Sequence, residues 1–496
     1  MMSINKIVVA NRGEIAIRVM RSAKEMGIAT VAVYSEADTL LPHASYADES
    51  ICIGPAPASQ SYLVQDKIIE ACKQTGADAI HPGYGFLSEN ASFAERVKKE
   101  GIQFIGPSPE AIRVMGDKLT SKQTVKKFGV PLVPGMDEPI NDVDIAKKVA
   151  NEIGYPVMIK ASAGGGGKGM RIVHDAGDFE EQMERAMSEA KNSFGNDEVF
   201  VEKFIGSPKH IEVQILGDQH GNIVHLFERE CSIQRRHQKV IEEAPSALLT
   251  PERRKQIGEA AVNVAKSCKY YGAGTVEFIA DENLDFYFLE MNTRLQVEHP
   301  VTELITGIDL VKEQIKIAEG SALPFKQEDL DIHGHSMEVR IYAEDPENNF
   351  LPDTGVLSTY KRPQGAGIRV DDGYEEGLEV SIYYDPMIAK LISHGKDRTE
   401  AIERMKRAIK EYDIAGVKTT LPFCDYVLDH PEFRNGTFTT KFVEQHFTPD
   451  KLKKEISEEL AQVLAVAAYE FMNEQTPPVD QPNHSKTSNW KARLKN

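Results

Sequence analysis

The stretch "GYPVMIKASAGGGGKGMRIVH", residues 154–174, decides how the rest of the chain is read. A strand-like apolar segment runs up to Lys160, four glycines follow, and "MRIV" resumes strand character. Glycine runs of this kind fold backbone N–H groups around phosphates, and three loop types compete here. The Gly-x-x-x-x-Gly-Lys-Ser/Thr loop fails, because Met170 and Arg171 follow Gly169. Gly164, Gly166 and Gly169 formally satisfy Gly-x-Gly-x-x-Gly, yet a dinucleotide loop must open a helix, and a strand follows instead. What is left is a hairpin tip whose glycines reach unusual φ/ψ values and approach phosphates closely. The plainer alternative is a flexible surface turn.

A second stretch weighs against that alternative. "GAGTVEFIADENLDFYFLEMNTRLQVEHP" (272–300) reads as strand, turn, strand. A turn centred on Asn283-Leu284 places Glu277 opposite Glu290, with Asn292 on the face of Glu290. Directly opposed side chains lie about 4.5–5.5 Å apart, and like charges there repel. A divalent cation removes that repulsion, and two carboxylates with an amide oxygen suit Mg²⁺ held together with phosphates. A solvated acidic pair is the competing reading. Beyond the hairpin, Arg294 can fork onto a small planar carboxylate and Glu298 can act as a general base. "ECSIQRRHQKVIEE" (230–243) adds a basic cluster of Arg235, Arg236, His237 and Lys239. By itself that run is a solvated charged face; an anion site nearby gives it another use.

The acidic balance of the chain agrees with such a local pocket and excludes a broader basic surface. Its 496 residues carry 58 Lys and Arg against 76 Asp and Glu, a net charge of −18, which argues against nucleic acid as a partner. The length predicts three or more domains. Five cysteines, an odd number with no Cys-x-x-Cys spacing, read as reduced thiols of a cytoplasmic protein. No secretory signal opens the sequence, and no apolar run is long enough to span a membrane. "KIVVA" (6–10), the helical pattern of 13–27 and "IATVAVYS" (28–35) form a β-α-β unit, so residues 1–115 read as a doubly wound α/β domain with a parallel sheet. Strands mix with helices from 116 to 330, with a glycine-loop lid over 131–204. A β-rich segment covers 335–447, and 448–496 reads as a tail, disordered or subunit-docking.

Taken as a set, "ANRGEIAIR" (10–18), "HPGYGFLSEN" (81–90), "GPSPEAIRVMGDK" (106–118), "KASAGGGGKGMR" (160–171), "ECSIQRRHQK" (230–239), "EMNTRLQVEHPVTE" (290–303) and "YAEDP" (342–346) closely resemble the biotin carboxylase family of the ATP-grasp superfamily. The resemblance covers about 3–447. It implies an α/β (α+β overall) ATP-grasp fold with a doubly wound N-terminal domain, a lid and a β-rich C-terminal domain. It also implies carboxylation of biotin by bicarbonate and ATP through carboxyphosphate. In its terms Glu277, Glu290 and Asn292 hold two Mg²⁺ or Mn²⁺ ions, and Lys118 and Lys160 contact ATP. Gly164, Gly165, Gly166, Gly167, Lys168 and Gly169 form the lid. Glu202, Lys203 and Ile205 face the adenine, and His210, Gln234 and His237 line the ribose and phosphates. Bicarbonate falls to Arg294, Gln296 and the backbone of Val297, with Glu298 as its base. Lys239 stabilises carboxyphosphate, Arg340 stabilises the biotin enolate, and Tyr84 lies near the biotin pocket.

The resemblance also sets expectations about assembly. Met405-Lys406 sits in a charged helical pattern and reads as helix surface, not as a biotinylation hairpin. The chain is therefore expected to form a homodimer and to work with two separate proteins, a biotin carboxyl carrier protein and a carboxyltransferase subunit. The acceptor stays open among acetyl-CoA (the fatty acid biosynthesis case), propionyl-CoA and pyruvate. Two rivals remain: an ATP-grasp ligase activating a different carboxylate, and a non-catalytic nucleotide-binding subunit. Arg294, Gln296, Glu298 and Arg340 speak against the first. Retention of Glu277, Glu290, Lys239 and Arg340 speaks against the second.

Overall fold

The structure, a computed structural model, describes residues 3–136, 138–162, 170–194, 196–236, 238–453 and 458–474. The glycine run 164–167, Lys168, Gly169 and His237 lie outside these residues.

Alternating apolar segments build the N-terminal part. Strands β1 (Lys6–Val9), β2 (Ala29–Tyr34), β3 (Glu49–Cys52), β4 (Ala79–His81) and β5 (Gln103–Phe104) form a parallel sheet in the order β3-β2-β1-β4-β5. Helix α1 (Gly13–Glu25) links β1 to β2, the right-handed β-α-β unit expected for parallel neighbours. Ile7 and Val9 pack with α1 on one face, and Val8 packs with the helix Gln65–Thr75 on the other, which is why these strands are apolar throughout.

In the lid segment, β6 (Val157–Ala161), β7 (Met170–Val173) and β8 (Val199–Lys203) make a three-stranded antiparallel sheet in the order β7-β6-β8. The glycine run therefore falls between two paired antiparallel strands, β6 and β7. Val157, Ile159 and Val201 pack against Ala146, Ala150, Phe179 and Met183 of two covering helices.

The site is carried by an eight-stranded antiparallel sheet. Its order is β13 (Phe286–Asn292), β12 (Gly272–Ala280), β9 (Lys209–Gly217), β10 (Ile223–Arg235), β11 (Gln238–Ala244), β14 (His335–Tyr342), then Met387–Gly395 and Ile368–Asp372. The sheet runs unbroken past residues 330–335, where composition alone suggests a boundary, because β14 pairs with β11. Every residue of β9 is buried. Its odd positions Ile211, Val213 and Ile215 join the apolar cluster with Ile257, Ala261 and Val264 of the helix Pro251–Ser267. Its even positions His210, Glu212 and Gln214 point to the other face, as the period of two requires. β14 divides in the same way: Met337, Val339 and Ile341 enter an apolar core, while Glu338 and Arg340 share the polar face. The helix His299–Thr306 packs on that face against β10, β11 and β14.

Two local expectations need correction. The hairpin register is Ala280↔Phe286 and Phe278↔Phe288 near the turn, one residue off a turn centred on Asn283-Leu284. A bulge beyond that point adds one residue to β13 and restores the pairing Glu277↔Glu290. Asn292 then lies opposite Thr275. Met405 is in a helix, Arg398–Glu411, but it is fully buried in the core and not on the surface; Lys406 pairs with Asp429. Within the tail, Glu458–Glu474 is helical. No helix among the described residues is long and apolar enough to cross a membrane.

Gly373 fixes how α1 meets the C-terminal strands. A Cβ there would stand 2.7 Å from Glu14 N and 2.7 Å from Gly13 Cα, backbone atoms that cannot swing aside. Gly373→Ala is therefore expected to destabilise the fold by about 1–3 kcal/mol, read as a lower urea midpoint.

Candidate active site

The polar face of the long sheet gathers charge from distant parts of the chain. Lys239 on β11 places its ammonium 2.5 Å from Glu212, 3.0 Å from Glu277 and 2.8 Å from Glu298. Arg229 on β10, wholly buried, spends its guanidinium on Glu212 (2.5 Å), Gln214 (2.7 Å), Thr302, Thr275 and Gln296 (2.6 Å). Arg340 on β14 bridges Glu242 (2.6 Å) and Glu298 (2.9 Å). Glu298, at the start of the helix His299–Thr306, is thus clasped by one cation on each oxygen. Burial would raise its carboxyl, but Lys239, Arg340 and Arg229 hold it well below the ordinary range.

The hairpin glutamates differ from each other. Burial opposes ionisation of Glu277, yet Lys239 and His210 outweigh it and hold its carboxyl low. Its Oε1 accepts from Lys239, Asn292 (2.8 Å) and Gln296 (2.8 Å). His210 Nε2 lies 2.9 Å from Oε2, an ion-pair distance without an aligned hydrogen bond. Glu290 is raised, first by burial and then by the charge of Glu277 across the strand pair, with Lys118 opposing. A raised carboxyl facing a carboxylate is the electrostatic deficit that a divalent cation relieves, so Glu277, Glu290 and Asn292 fit Mg²⁺. Two sets of ligand atoms lie within 4.8 Å of one another, His210 with Glu212 and Glu277, and Glu212 with Cys231 and Glu298, but the Lys239 ammonium already bonds the glutamates of both.

The remaining expected residues are placed as follows. Lys160 (2.6 Å) shares the Glu202 carboxylate with Lys122 (2.8 Å), a lysine that no sequence motif singles out. Lys118 is exposed at the start of the helix Lys118–Lys126. Lys203 donates to the carbonyls of Gly154 and Tyr155 at the base of the lid, and Ile205 is half-buried just beyond β8. Gln234 donates to the Cys231 carbonyl. The Val297 carbonyl accepts from Lys390, and Tyr84 hydrogen-bonds Glu14. Arg294 is held by Glu89 (2.8 Å) and by Asn292 Oδ1 (3.0 Å). Arg235 pairs with Glu344, so only part of the basic cluster faces the carboxylates.

Glu212, Arg229, Glu89 and Glu242 belong to this network although the sequence reading does not name them. A signal exists for the first: "HIEVQILG" alternates apolar and polar residues, as a strand with one polar face must. Nothing local marks Arg229, whose partners come from four separate segments.

Comparison with known proteins gives the family of the chain. Residues 3–112 match the biotin carboxylase N-terminal domain, 117–326 the ATP-binding domain of the carbamoyl-phosphate synthase L chain, and 338–445 the biotin carboxylase C-terminal domain. A pyruvate carboxylase subunit of Methanothermobacter thermautotrophicus is 54% identical over 89% of this chain and 90% of its own length.

The chain belongs to the biotin carboxylase family.

The mitochondrial methylcrotonoyl-CoA carboxylase alpha chain of Mus musculus is also 54% identical over 90% of this chain, which spans 62% of that relative's length. Among solved structures, the biotin carboxylase domain dimer of Hydrogenobacter thermophilus 2-oxoglutarate carboxylase, in complex with MgADP, ADP and bicarbonate, is 49% identical. The match covers 92% of this chain and 100% of that one, with a TM-score of 0.81. The fold is thus that of a biotin carboxylase ATP-grasp protein, and the family's reaction is ATP-dependent carboxylation.

Lys239→Met should weaken the acid dependence of stability. In the native chain Glu298 and Glu277 are depressed, so their contribution is present above the unfolded carboxyl pKa of about 4.3 and is lost on acidification. Without the ammonium, Glu298 keeps Arg340 and Arg229 and Glu277 keeps His210, so both carboxyls are depressed less and less stability is left to lose on acidification. The variant should have a lower urea midpoint than the parent at pH 7, and its midpoint should fall less between about pH 6 and pH 3.

Proposed function

We propose that this biotin carboxylase family member carboxylates biotin borne on a separate carrier protein, as the first half-reaction of a multisubunit carboxylase. The observation that carries this is Glu298, fixed between Lys239 and Arg340 and next to Gln296, beside the opposed pair Glu277 and Glu290.

ATP enters against Lys118, Lys160, Glu202, Lys203, Ile205, His210, Gln234 and His237, and the glycine lid Gly164–Gly167 with Lys168 and Gly169 excludes water. Mg²⁺ held by Glu277, Glu290 and Asn292 would neutralise phosphate charge. Bicarbonate binds Arg294, Gln296 and the Val297 backbone. Glu298 takes its proton, and the freed oxygen attacks the γ-phosphorus as the bond to ADP breaks, giving carboxyphosphate. A carboxylate held this low is a weak base at first. As Lys239 turns from Glu298 to the bound γ-phosphate and bicarbonate, before carboxyphosphate forms, Glu298 loses one of its cations and its proton affinity rises when it is needed. Carboxyphosphate then breaks to CO₂ and phosphate. The phosphate removes the N1 proton of biotin, and N1 attacks CO₂ while Arg340 stabilises the enolate and Tyr84 borders the ring.

The similar proteins act on different acceptors, methylcrotonoyl-CoA and pyruvate by their names, so the acceptor belongs to a carboxyltransferase partner. A homodimer accords with the dimeric neighbour. Purified chain with Mg²⁺, ATP and bicarbonate should hydrolyse ATP faster when free biotin is added and should form carboxybiotin. Turnover indifferent to both bicarbonate and biotin would point to another ATP-grasp ligase.

Glu298→Gln is expected to bind ATP as the parent does, yet lose about 10²–10⁴-fold in bicarbonate-dependent turnover. Near-full turnover would remove it from the base role. Glu290→Gln should raise the Mg²⁺ concentration needed for half-maximal rate severalfold, measured by titrating Mg²⁺ at saturating ATP.

A further inference from the structure

Beneath Arg340 lie two glutamates that no step above uses. Glu242 on β11 and Glu338 on β14 are directly opposed across an antiparallel pair. Both are wholly buried, and opposed side chains in such a pair lie about 4.5–5.5 Å apart. Arg340 Nε donates to Glu242 Oε1 at 2.6 Å. Among the described residues no donor meets Glu242 Oε2 or either oxygen of Glu338. Glu338 with no donor, opposed across the strand pair to a Glu242 bonded on one oxygen only and away from water, cannot remain ionised beside it at modest cost.

The surrounding charges do not change that conclusion. Arg340 and Glu298 face both glutamates, Lys239, Cys231, Tyr342 and Cys424 face Glu242, and Lys390 faces Glu338. Lys390 is already bonded to the Val297 carbonyl (2.8 Å) and paired with Glu14 (3.2 Å). Burial pushes both carboxyls upward, and Glu338 further, because Arg340 donates to Glu242 instead.

The geometry points to Glu242 and Glu338 holding one proton between them, a pair of single negative charge that sets Arg340 against Glu298 and makes Glu338 a positioning residue for biotin carboxylation. The role of Arg340 rests on the functional reading above; the shared proton does not. With one proton the pair balances Arg340, which can divide its donors between Glu242 and Glu298. Loss of that proton at alkaline pH places a second negative charge under the guanidinium and draws it away from Glu298 and biotin.

Two readouts test this on the full chain. Infrared difference spectra of E338Q against the parent at neutral pH should remove a band of a buried protonated carboxyl. E242Q should shift the same band, because the proton on Glu338 then faces a neutral amide in place of a carboxylate; a band that does not move overturns the shared proton. In kinetics at saturating ATP and bicarbonate, the alkaline limb of kcat for biotin carboxylation should move up by about one pH unit or more in E338Q, with KM for ATP within about twofold. A parent spectrum without the band, or superimposable pH profiles, overturns the proposal. If E338Q does not fold, the E242Q difference spectrum decides alone. A parent with no bicarbonate- and biotin-dependent turnover would remove the functional reading and the positioning role with it. A missing band with intact turnover removes the carboxyl pair alone.

Discussion

Three carboxylates from three places in the chain converge on the single ammonium of Lys239. Glu212 comes from β9, Glu277 from β12 and Glu298 from the turn into the helix His299–Thr306. Without a shared cation these groups could not be buried together, since charges about 4 Å apart interact by several kcal/mol near protein. The ammonium therefore ties two strands of the sheet to the covering helix. Arg229 and Arg340 extend the balance on either side, and each finds its remaining acceptors within the same polar layer.

This layer explains why the sheet is built as it is. Buried polar groups must be satisfied by one another. Strands β9 and β14 therefore keep one apolar face for the cores and one polar face for the site. The low dielectric that makes an unpaired charge costly also lets small movements of Lys239 change the basicity of Glu298. The opposed glutamates under Arg340 depart from this rule: Arg340 bonds one oxygen of Glu242, and no donor among the described residues meets Glu338.

Much of this is legible in order along the chain. The β-α-β start, the strand–glycines–strand pattern and the opposed Glu277 and Glu290 all follow from periodicity and from pairing over short loops. The pairing next to that turn is one residue off the expected register, because a bulge has no local signature beyond the residues themselves. Met405 is core and not surface, since a charged helix pattern does not show which side meets a neighbouring core. Lys118, Lys160 and Glu298 can be named from motifs, but not the partners that fix their charge states.

Local features are thus written into the residue order: which segments are strands, where a glycine run joins two of them, and which carboxylates stand in pairs. Periods of 2.0 and 3.6 and short-range turns suffice for that. The company each group keeps is settled only when the chain folds. Glu89 holds Arg294 across 205 positions and Arg340 meets Glu242 across 98. Such contacts depend on how strands are ordered within the sheet, and strand order leaves no trace in the spacing of residues along any one strand.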